Sequence, residues 1–369
     1  MMRKTFALIL SLVLLTALAG EGYCGESWPT FRGGNSRTGA AGAPPPLQHR
    51  IMGEASWQVF ATQPIQSSPA IANGVVYFGS NDGNMRAVSA SDGRILWAFQ
   101  TDNWITSSPA VTGNVVIFGS YDSKVYALDA TNGNLIWQFT THNNVASSPA
   151  VTDGMVFFGG LDGNVYGVDL STGWERWHHE AGREVFGSPV VEDGVVYIGN
   201  HDGRLLALDA ENGTLKWRAI VGGPISSAPA VSNGFLYFGS WDGILYTVEI
   251  RNEAVIRNYP SGGSIECSPL VAGGKIFFGN IMGTMTALDE ATGNVAWRAE
   301  TGSRIASSPA FSDGVIYFGN DGGTFYALDA NTGNILWQIP FRGSVVSSPA
   351  IGPDALYVTR MDGVLVRIR

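Results

Sequence analysis

The sequence has little charge and few of the side chains that carry most enzyme chemistry. Only 14% of its 369 residues are charged, and it contains two cysteines and five histidines. The formal net charge is −9 and there is no basic patch, so nucleic acid is not an expected partner. The sequence also has no Gly-x-Ser-x-Gly elbow, P-loop, Cys-x-x-Cys pair or EF-hand spacing. These absences argue against the commonest hydrolase, nucleotide-dependent, thiol-redox and calcium-sensor classes.

No segment after the extreme N-terminus has a sustained helical period, which excludes an α-helical fold. The histidines do not suggest a metal site either. His178 and His179 are adjacent in a predicted strand, so their side chains point to opposite faces and cannot chelate one ion. We expect no protein-bound metal.

The N-terminus has the pattern of a secretory signal. Arg3 and Lys4 precede a short apolar run over residues 6–15, and Ala17-Leu18-Ala19 is a small-x-small cleavage site. The apolar run is too short to predict a membrane span. We therefore predict a signal peptide over residues 1–19 and a periplasmic or secreted protein.

The two cysteines leave alternatives open. Cys24 follows the signal, but lipidated cysteines usually follow a Leu-small-small stretch, and here bulky Tyr23 comes first, which argues against a lipid anchor. An oxidising compartment would allow a Cys24–Cys267 disulfide, and two separate thiols are the alternative. Residues 20–56 read as a leader with a Pro/Gly linker, whose Trp28 and Phe31 we expect to dock on the folded domain.

What the sequence does contain is a strict repeat. One proline recurs every 40 residues, without insertion, as Pro69, Pro109, Pro149, Pro189, Pro229, Pro269, Pro309 and Pro349. In the second copy, "ITSSPAV", "VVIFGS", "VYALDA" and "LIWQFT" read as four strands, separated by turns at Gly113-Asn114, Asp122-Ser123 and Asn132-Gly133. Four strands in about 40 residues is the period of a β-propeller blade.

The repeat also orders the strands and closes the ring. The "SSPA" strand is predicted to be innermost, because proline cannot donate a ladder hydrogen bond and small residues suit the crowded axis. The tryptophan strand is then outermost. The last copy ends at Arg369 after three strands, and "SWQVF", with Trp57 in register, supplies its fourth. We predict an all-β, eight-bladed propeller of four-stranded antiparallel blades over residues 57–369, forming a monomeric ring.

The third turn carries a family resemblance. "ALDATNGNLIW" (127–137), "ALDAENGTLKW" (207–217) and "ALDANTGNILW" (327–337) share Ala-x-Asp, then Gly, then Trp. This resembles the tryptophan-docking motif of the pyrroloquinoline-quinone (PQQ) repeat family, in which each Trp packs on the Gly-bearing peptide of the next blade. The resemblance implies that role for Trp57, Trp97, Trp137, Trp177, Trp217, Trp297 and Trp337. The motif is broken in "TVEIRNEAVIR" (247–257), where Glu253 replaces the Gly and Arg257 replaces the Trp, so a weaker contact or a partner-binding rim is expected there.

The loops from each outer strand to the next inner strand should share one face with the second turns. Positions on this face vary between copies while the scaffold does not, and exposed aromatic residues, Met and Arg are typical anchors of protein interfaces. We predict a binding face that contains Trp104, Tyr121, Arg183, Glu184, Phe186, His201, Trp241, Glu266, Arg304 and Met361.

The resemblance implies two classes of function. One is the PQQ- and Ca²⁺-dependent quinoprotein dehydrogenases; the other is non-catalytic scaffolds such as the BamB-type outer-membrane assembly factors. Glu184, Glu266 and Asp321 are the clear carboxylates at the loop positions, but they belong to different blades, and the adjacent Cys-Cys pair of many alcohol-oxidising members is absent. We therefore expect a scaffold without catalytic residues or cofactor, whose partners are envelope or outer-membrane proteins. Binding of an extracellular polymer is a further alternative.

Overall fold

The 40-residue repeat folds as a ring of eight four-stranded antiparallel sheets. The structure, a computed structural model, describes residues 53–369. Within these residues all regular elements are strands, and no helix is long and apolar enough to cross a membrane. The predicted eight-bladed propeller is confirmed.

The first strand, β1 (Ala55–Phe60), belongs to the last blade, and the other strands follow the chain blade by blade. Blades 1 to 4 contain β2 (Ala70–Ala72), β3 (Val75–Gly79), β4 (Asn84–Ser89) and β5 (Ile95–Gln100); β6 (Ala110–Thr112), β7 (Val115–Gly119), β8 (Lys124–Asp129) and β9 (Leu135–Thr140); β10 (Ala150–Thr152), β11 (Met155–Gly159), β12 (Asn164–Asp169) and β13 (Glu175–Glu180); β14 (Val190–Glu192), β15 (Val195–Gly199), β16 (Arg204–Asp209) and β17 (Leu215–Ile220). Blades 5 to 8 contain β18 (Ala230–Ser232), β19 (Phe235–Gly239), β20 (Ile244–Glu249) and β21 (Ala254–Pro260); β22 (Leu270–Ala272), β23 (Lys275–Gly279), β24 (Thr284–Asp289) and β25 (Val295–Glu300); β26 (Ala310–Ser312), β27 (Val315–Gly319), β28 (Thr324–Asp329) and β29 (Ile335–Pro340); β30 (Ala350–Ile351), β31 (Leu356–Thr359) and β32 (Val364–Ile368).

The innermost strands are shorter than the sequence predicted. "ITSSPAV" was expected to be a strand from its first residue, but β6 begins at Ala110, after the proline. The preceding serines instead join neighbouring blades: the backbone N–H of Ser68 donates to the hydroxyl of Ser108 at 2.9 Å, and Ser348 returns to Ser68 at 2.9 Å. These hydrogen bonds between serines form a circle around the axis of the ring. Within residues 53–369 the circle is interrupted between blades 4 and 5, because Ala228 has no hydroxyl that could accept from Ser188.

Both ends of the described chain close the ring. β1 pairs with β32 antiparallel, from Ala55 opposite Ile368 to Phe60 opposite Val364. The buried Arg367 guanidinium also donates to Ser56 at 3.0 Å and pairs with Asp354 at 2.7 Å. The ring is thus closed by main-chain and side-chain hydrogen bonds, which removes the open sheet edges that an incomplete last blade would leave.

The hydrophobic core lies between neighbouring blades. Each cluster combines two or three adjacent sheets, as where Ala127 and Trp137 of blade 2 pack with Phe158 and Tyr166 of blade 3. Within residues 53–369 five docking indoles also donate to a carbonyl 33 residues later, in the next blade, as from Trp97 to Ala130 at 2.9 Å. The same bond is made from Trp57, Trp137, Trp177 and Trp297 to Ala90, Leu170, Ala210 and Ala330 at 2.8–3.3 Å.

Where a glycine lies under the indole, it is required for two reasons. Gly133 has φ 74°, a left-handed conformation that L side chains rarely adopt, and a Cβ there would lie 2.8 Å from the Trp97 ring. The last tryptophan, Trp337, contacts Gly53 in the same way, with a hypothetical Cβ 3.2 Å from its ring.

Two consecutive contacts between blades depart from this pattern. Under Trp217, Glu253 replaces the glycine but keeps its left-handed backbone conformation, with φ 54°. Within the described chain the Trp217 indole makes no hydrogen bond of this kind. In the next contact Arg257 lies over Gly293, and its Nη1 donates to the Glu290 carbonyl at 3.0 Å. The expected weakening is therefore partial: Arg257 keeps the hydrogen bond and loses the buried aromatic ring.

Several sequence predictions fall on residues before Gly53 and lie outside the described part of the chain. They are the signal peptide, the docking of Trp28 and Phe31, and the lipidation or disulfide pairing of Cys24. Cys267 precedes β22 by three residues. It takes the place of the first serine of the repeat, is buried, and its thiol lies 3.1 Å from the N–H of Gly279.

The docking tryptophans should differ in their contribution to stability. We expect Trp137→Ala to lower the free energy of unfolding by about 3–5 kcal/mol, since it removes a buried indole and leaves the Leu170 carbonyl without its donor. Trp217→Ala should cost clearly less, because this indole is half-buried and lacks the glycine. Denaturant unfolding measures both, and equal losses would contradict this role of the glycine and the hydrogen bond.

Glu253→Gly should stabilise the ring by about 1 kcal/mol, because glycine adopts a positive φ without steric cost. Glu253→Ala is the matched control: it removes the same charge but keeps the Cβ, so we expect no comparable gain in melting temperature. A gain of similar size for alanine would show that charge, not backbone strain, is responsible.

Candidate binding face

The outer-to-inner loops and the second turns lie together on one face of the ring. Their main chains are hydrogen-bonded, from the N–H of Tyr121 to the carbonyl of Trp104 at 2.8 Å and from the N–H of Asp321 to the carbonyl of Arg304 at 2.9 Å. We call this the variable face; it comprises residues 61–69 and 80–83 and their equivalents at 40-residue steps. The first and third turns form the opposite, short-turn face.

The second turns are held by a polar side chain, which leaves the neighbouring positions free to vary. In blade 2 the Asp122 carboxylate accepts from the N–H of Lys124 and from the N–H of Asp102 in the loop, both at 3.1 Å. In blade 6 this aspartate is replaced by Met282, and Asn280 accepts from the N–H groups of Met282 and Thr284, both at 3.0 Å, instead. The turn keeps its shape while an apolar side chain is presented to solvent.

An aromatic cluster occupies blades 4 and 5 of the variable face. The His201 ring stacks on Phe186 with centroids 4.4 Å apart and lies 5.3 Å from the ring of Trp241. His201 Nε2 is also 3.1 Å from the hydroxyl of Ser226. Burial lowers the pKa of His201, with the charges of Glu184 and Arg183 acting in opposite directions. The imidazole is therefore favoured in its neutral, stacking form.

The cluster continues into blade 6 through residues outside the predicted set. Ser264 connects the two turns, since its hydroxyl donates to the Trp241 carbonyl at 2.6 Å and its own carbonyl accepts from the N–H of Ile281 at 3.0 Å. Trp241 is 42% exposed and Met282 is 63% exposed. We call Phe186, His201, Trp241, Ile281 and Met282 the apolar patch. The signal for Met282 was visible in the sequence as the missing aspartate of the sixth blade.

A charged network borders the apolar patch on blades 6 and 7. Arg304 pairs with Glu266 and, through Nη1 at 2.9 Å, with Asp321. Burial alone would lower the pKa of Arg304, but hydrogen bonds and charge from the two carboxylates raise it above its ordinary value. On the other side of the patch, Arg183 Nε lies 3.4 Å from Glu184. The patch is thus flanked by ion pairs at both ends.

The remaining predicted residues lie apart from the patch. Trp104, which is 51% exposed, contacts Tyr121 in blade 2 with ring centroids 6.2 Å apart. Met361 is half-buried in blade 8, beside an arginine the sequence did not single out. Arg360 pairs with both oxygens of Asp362 and lies 4.5 Å above the Phe341 ring. The structure therefore joins seven predicted residues through ring contacts or ion pairs in blades 4 to 7 and leaves Trp104, Tyr121 and Met361 elsewhere on the face.

The variable face does not fit the Ca²⁺ and quinone of the dehydrogenase alternative. Calcium needs several oxygen ligands that converge on one point. Glu266 and Asp321 both face the Arg304 guanidinium, and Glu184 faces Arg183 three blades away. Within residues 53–369 no three His, Cys, Asp or Glu side chains group as a metal site.

Acid should destabilise the aromatic cluster. The pKa of His201 is lower in the folded protein than in the unfolded chain, where it is about 6.5. The neutral imidazole therefore stabilises the fold fully above this unfolded-state pKa, and the stabilisation is lost as pH falls through the folded-state pKa. We expect the wild type to lose more melting temperature between pH 7.5 and pH 5 than His201→Phe, which keeps the stack without a titrating group. Parallel pH curves would contradict this.

Comparisons with known proteins agree with the fold. A family model described as outer membrane protein assembly factor BamB matches residues 50–259 and 263–369. No curated protein matches the sequence significantly.

Solved structures share the ring at low sequence identity. BamB from Moraxella catarrhalis is 19% identical, with a TM-score of 0.77, over 86% of this chain and 100% of that one. The computationally designed Ika8 protein is 19% identical, with a TM-score of 0.76, over 84% and 97%. The quinohemoprotein alcohol dehydrogenase from Comamonas testosteroni is 14% identical, with a TM-score of 0.79, over 93% and 80%. The likenesses to solved structures show the fold alone. The family model, in contrast, covers most of the sequence. The chain therefore belongs to the BamB family of PQQ-like β-propellers.

Proposed function

We propose that this protein is a non-catalytic scaffold of the cell envelope that binds a protein partner through its variable face. The observation that carries the proposal is the apolar patch. Its exposed Trp241, Ile281 and Met282 lie on second turns of neighbouring blades that Ser264 connects, and the patch is flanked by ion pairs. An apolar centre with a polar rim is the usual anatomy of a protein interface.

Membership of the BamB family supports a more specific role. We propose that the partner belongs to the outer-membrane protein assembly apparatus or is one of its clients, and that the protein acts in the periplasm. The signal-like N-terminus supports this location, since export would place the ring where such partners are found.

Site-specific cross-linking in intact cells tests the binding face. A photoreactive residue at position 241 or 282 should cross-link to an envelope protein. The same residue at position 174 should not, because Trp174 is 76% exposed but lies in a third turn, on the short-turn face.

The captured partner then allows a quantitative comparison. Trp241→Ala should weaken binding of the purified partner by about tenfold or more, as expected for an aromatic anchor. Trp174→Ala, which removes the same side chain from the opposite face, should change the affinity less than about twofold. Equal effects would remove the variable face as the binding site, and a partner unrelated to outer-membrane assembly would remove the BamB-like role.

A separate titration tests the absence of quinone chemistry. We expect no saturable quenching of tryptophan fluorescence when PQQ is added with Ca²⁺, because the carboxylates of the variable face are engaged by arginines. Saturable binding at micromolar concentration that is lost on Trp241→Ala would replace the scaffold with a quinoprotein function.

A further inference from the structure

Blade 5, formed by β18 to β21, departs from the repeat at both of its contacts with neighbouring blades. At regular contacts a docking indole donates to one carbonyl of the next blade, and where the second strand has a tyrosine its hydroxyl donates to the same oxygen. Between blades 4 and 5 the corresponding donors are Trp217 and Tyr197, and the corresponding acceptor is the Ile250 carbonyl. Within residues 53–369 neither donor bonds to it. The rim of this contact therefore lacks its hydrogen bonds.

The third turn of blade 5 explains why these bonds are missing. Glu249 pairs with Ala254, which adds one rung to the ladder between β20 and β21 and shortens the turn. Inside the shortened turn the Ile250 carbonyl accepts from the N–H of Glu253 at 3.3 Å. The carbonyl that other blades offer to the indole is thus used to close the turn.

The same contact also lacks its hydrogen bond at the axis. The N–H of Ser148 donates to Ser188 at 2.9 Å, and the N–H of Ala228 donates to Ser268 at 2.8 Å. Between these two bonds the circle of serines is broken, since Ala228 offers no hydroxyl to the N–H of Ser188. Blades 4 and 5 are therefore joined without the polar links that most other neighbours have at the rim and at the axis.

Like charges face each other across this contact. Burial raises the pKa of Tyr197, and the charges of Asp193, Glu192 and Glu253 raise it further, so carboxylates of both blades surround this hydroxyl. None of the three carboxylates forms an ion pair with another residue of the described chain. Their mutual repulsion opposes close packing of the first turn of blade 4 on the third turn of blade 5.

The other contact of blade 5 is reduced as well. Arg257 replaces the indole and keeps the hydrogen bond to the Glu290 carbonyl at 3.0 Å, but its side chain is exposed where an indole would be covered. Cavities of about 400 and 280 Å³ adjoin Arg257, and the larger is also lined by Tyr237. A third cavity of about 400 Å³ lies between Glu192 and Arg251 on the other side of blade 5. Because folded proteins are normally close-packed, open space along both sides leaves blade 5 weakly docked.

The apolar patch spans both of these contacts. It takes residues from blades 4, 5 and 6, and blade 5 contributes Trp241. The Trp241 ring lies 5.3 Å from His201 of blade 4, and its carbonyl accepts from Ser264, in the loop that leads into blade 6, at 2.6 Å. Displacement of blade 5 would separate Trp241 from the rest of the patch, whereas a partner that covers the patch would tie the three blades together.

We propose that blade 5 opens from the ring as a unit while the other blades stay folded, and that a partner bound to the apolar patch holds it closed. Opening of one cooperative unit below the free energy of global unfolding is a general property of proteins, and a ligand that binds only the closed state opposes it. The second half of this proposal rests on the proposed function; the first half does not.

Hydrogen–deuterium exchange of the purified protein, followed by mass spectrometry, tests the opening. After correction for intrinsic rates, the amides of β19 and β20 should exchange about tenfold or more faster than those of β7 and β8. The two pairs of strands have the same pattern of burial in the closed ring, so burial alone gives no reason for a difference. Equal exchange in blades 2 and 5 would overturn the proposal.

Two substitutions restore residues of the regular repeat. Ala228→Ser supplies the missing acceptor for Ser188, and Glu253→Gly restores the glycine under Trp217 while removing one of the facing charges. Together they should slow exchange in β19 and β20 by about tenfold and leave β7 and β8 unchanged, which makes blade 2 the internal control. Equal slowing in both blades would show that global unfolding controls exchange, and would contradict the opening of blade 5.

The envelope protein captured at position 241 tests the coupling. At saturating concentration it should slow exchange throughout β19 and β20 by about tenfold or more, because it binds only the closed ring. Protection confined to the loops of the variable face would overturn the coupling and leave the binding face in place. If Trp241→Ala leaves the affinity unchanged, the binding face is wrong, whereas fast exchange of blade 5 in the free protein would still establish the opening.

Discussion

The ring depends on the hydrogen bond that an outer-strand indole donates to a carbonyl 33 residues later, in the next blade. A blade by itself leaves both faces of its sheet apolar, and burial is achieved only against its two neighbours. The indole fixes the distance and angle between neighbours because it is packed on a glycine and bonded at its N–H at the same time. The circle of serine hydroxyls does the same at the axis, with less surface buried.

The contacts between blades stabilise the ring, so its stability does not depend on the loops of the variable face. Their turns are closed by one aspartate or asparagine, and the residues beside it contribute little to the core. The ring can therefore accept tryptophan, isoleucine and methionine at solvent-exposed positions without a change of backbone. The exposed apolar patch is then a feature that the fold does not need, which is why it points to a partner.

The same reasoning applies where the repeat is broken. Arg257 retains the hydrogen bond of the absent tryptophan, and Glu290 redirects the hydroxyl of Tyr237. Loss of the indole alone would leave an unpaired carbonyl, whereas these two replacements keep the polar groups of the contact paired.

Much of the fold follows from the sequence because its signals are local and repeated eight times. The 40-residue spacing, the Asn-Gly and Asp-Gly turns and the register of Trp57 with the other tryptophans determine the number of blades, the order of strands and the closure by β1 and β32. The sequence could also place the variable residues on one face, since the strand order decides it. It overestimated the inner strand, because the backbone N–H of Ser108 donates to Ser148 of the next blade instead of to its own sheet.

What the sequence could not decide is which of these residues meet. Phe186, His201 and Trp241 are separated along the chain by 15 and 40 residues. The fold of blade 4 brings the Phe186 and His201 rings to 4.4 Å, and the packing of blade 5 on blade 4 brings Trp241 to 5.3 Å from His201. The arginine bridge between Glu266 and Asp321, and the cavity beside Tyr237, likewise arise from contacts between blades. The repeat by itself determined the ring. Packing between neighbouring blades decided where the ring presents an apolar surface and a charged border, because those features need side chains from two or more blades at once.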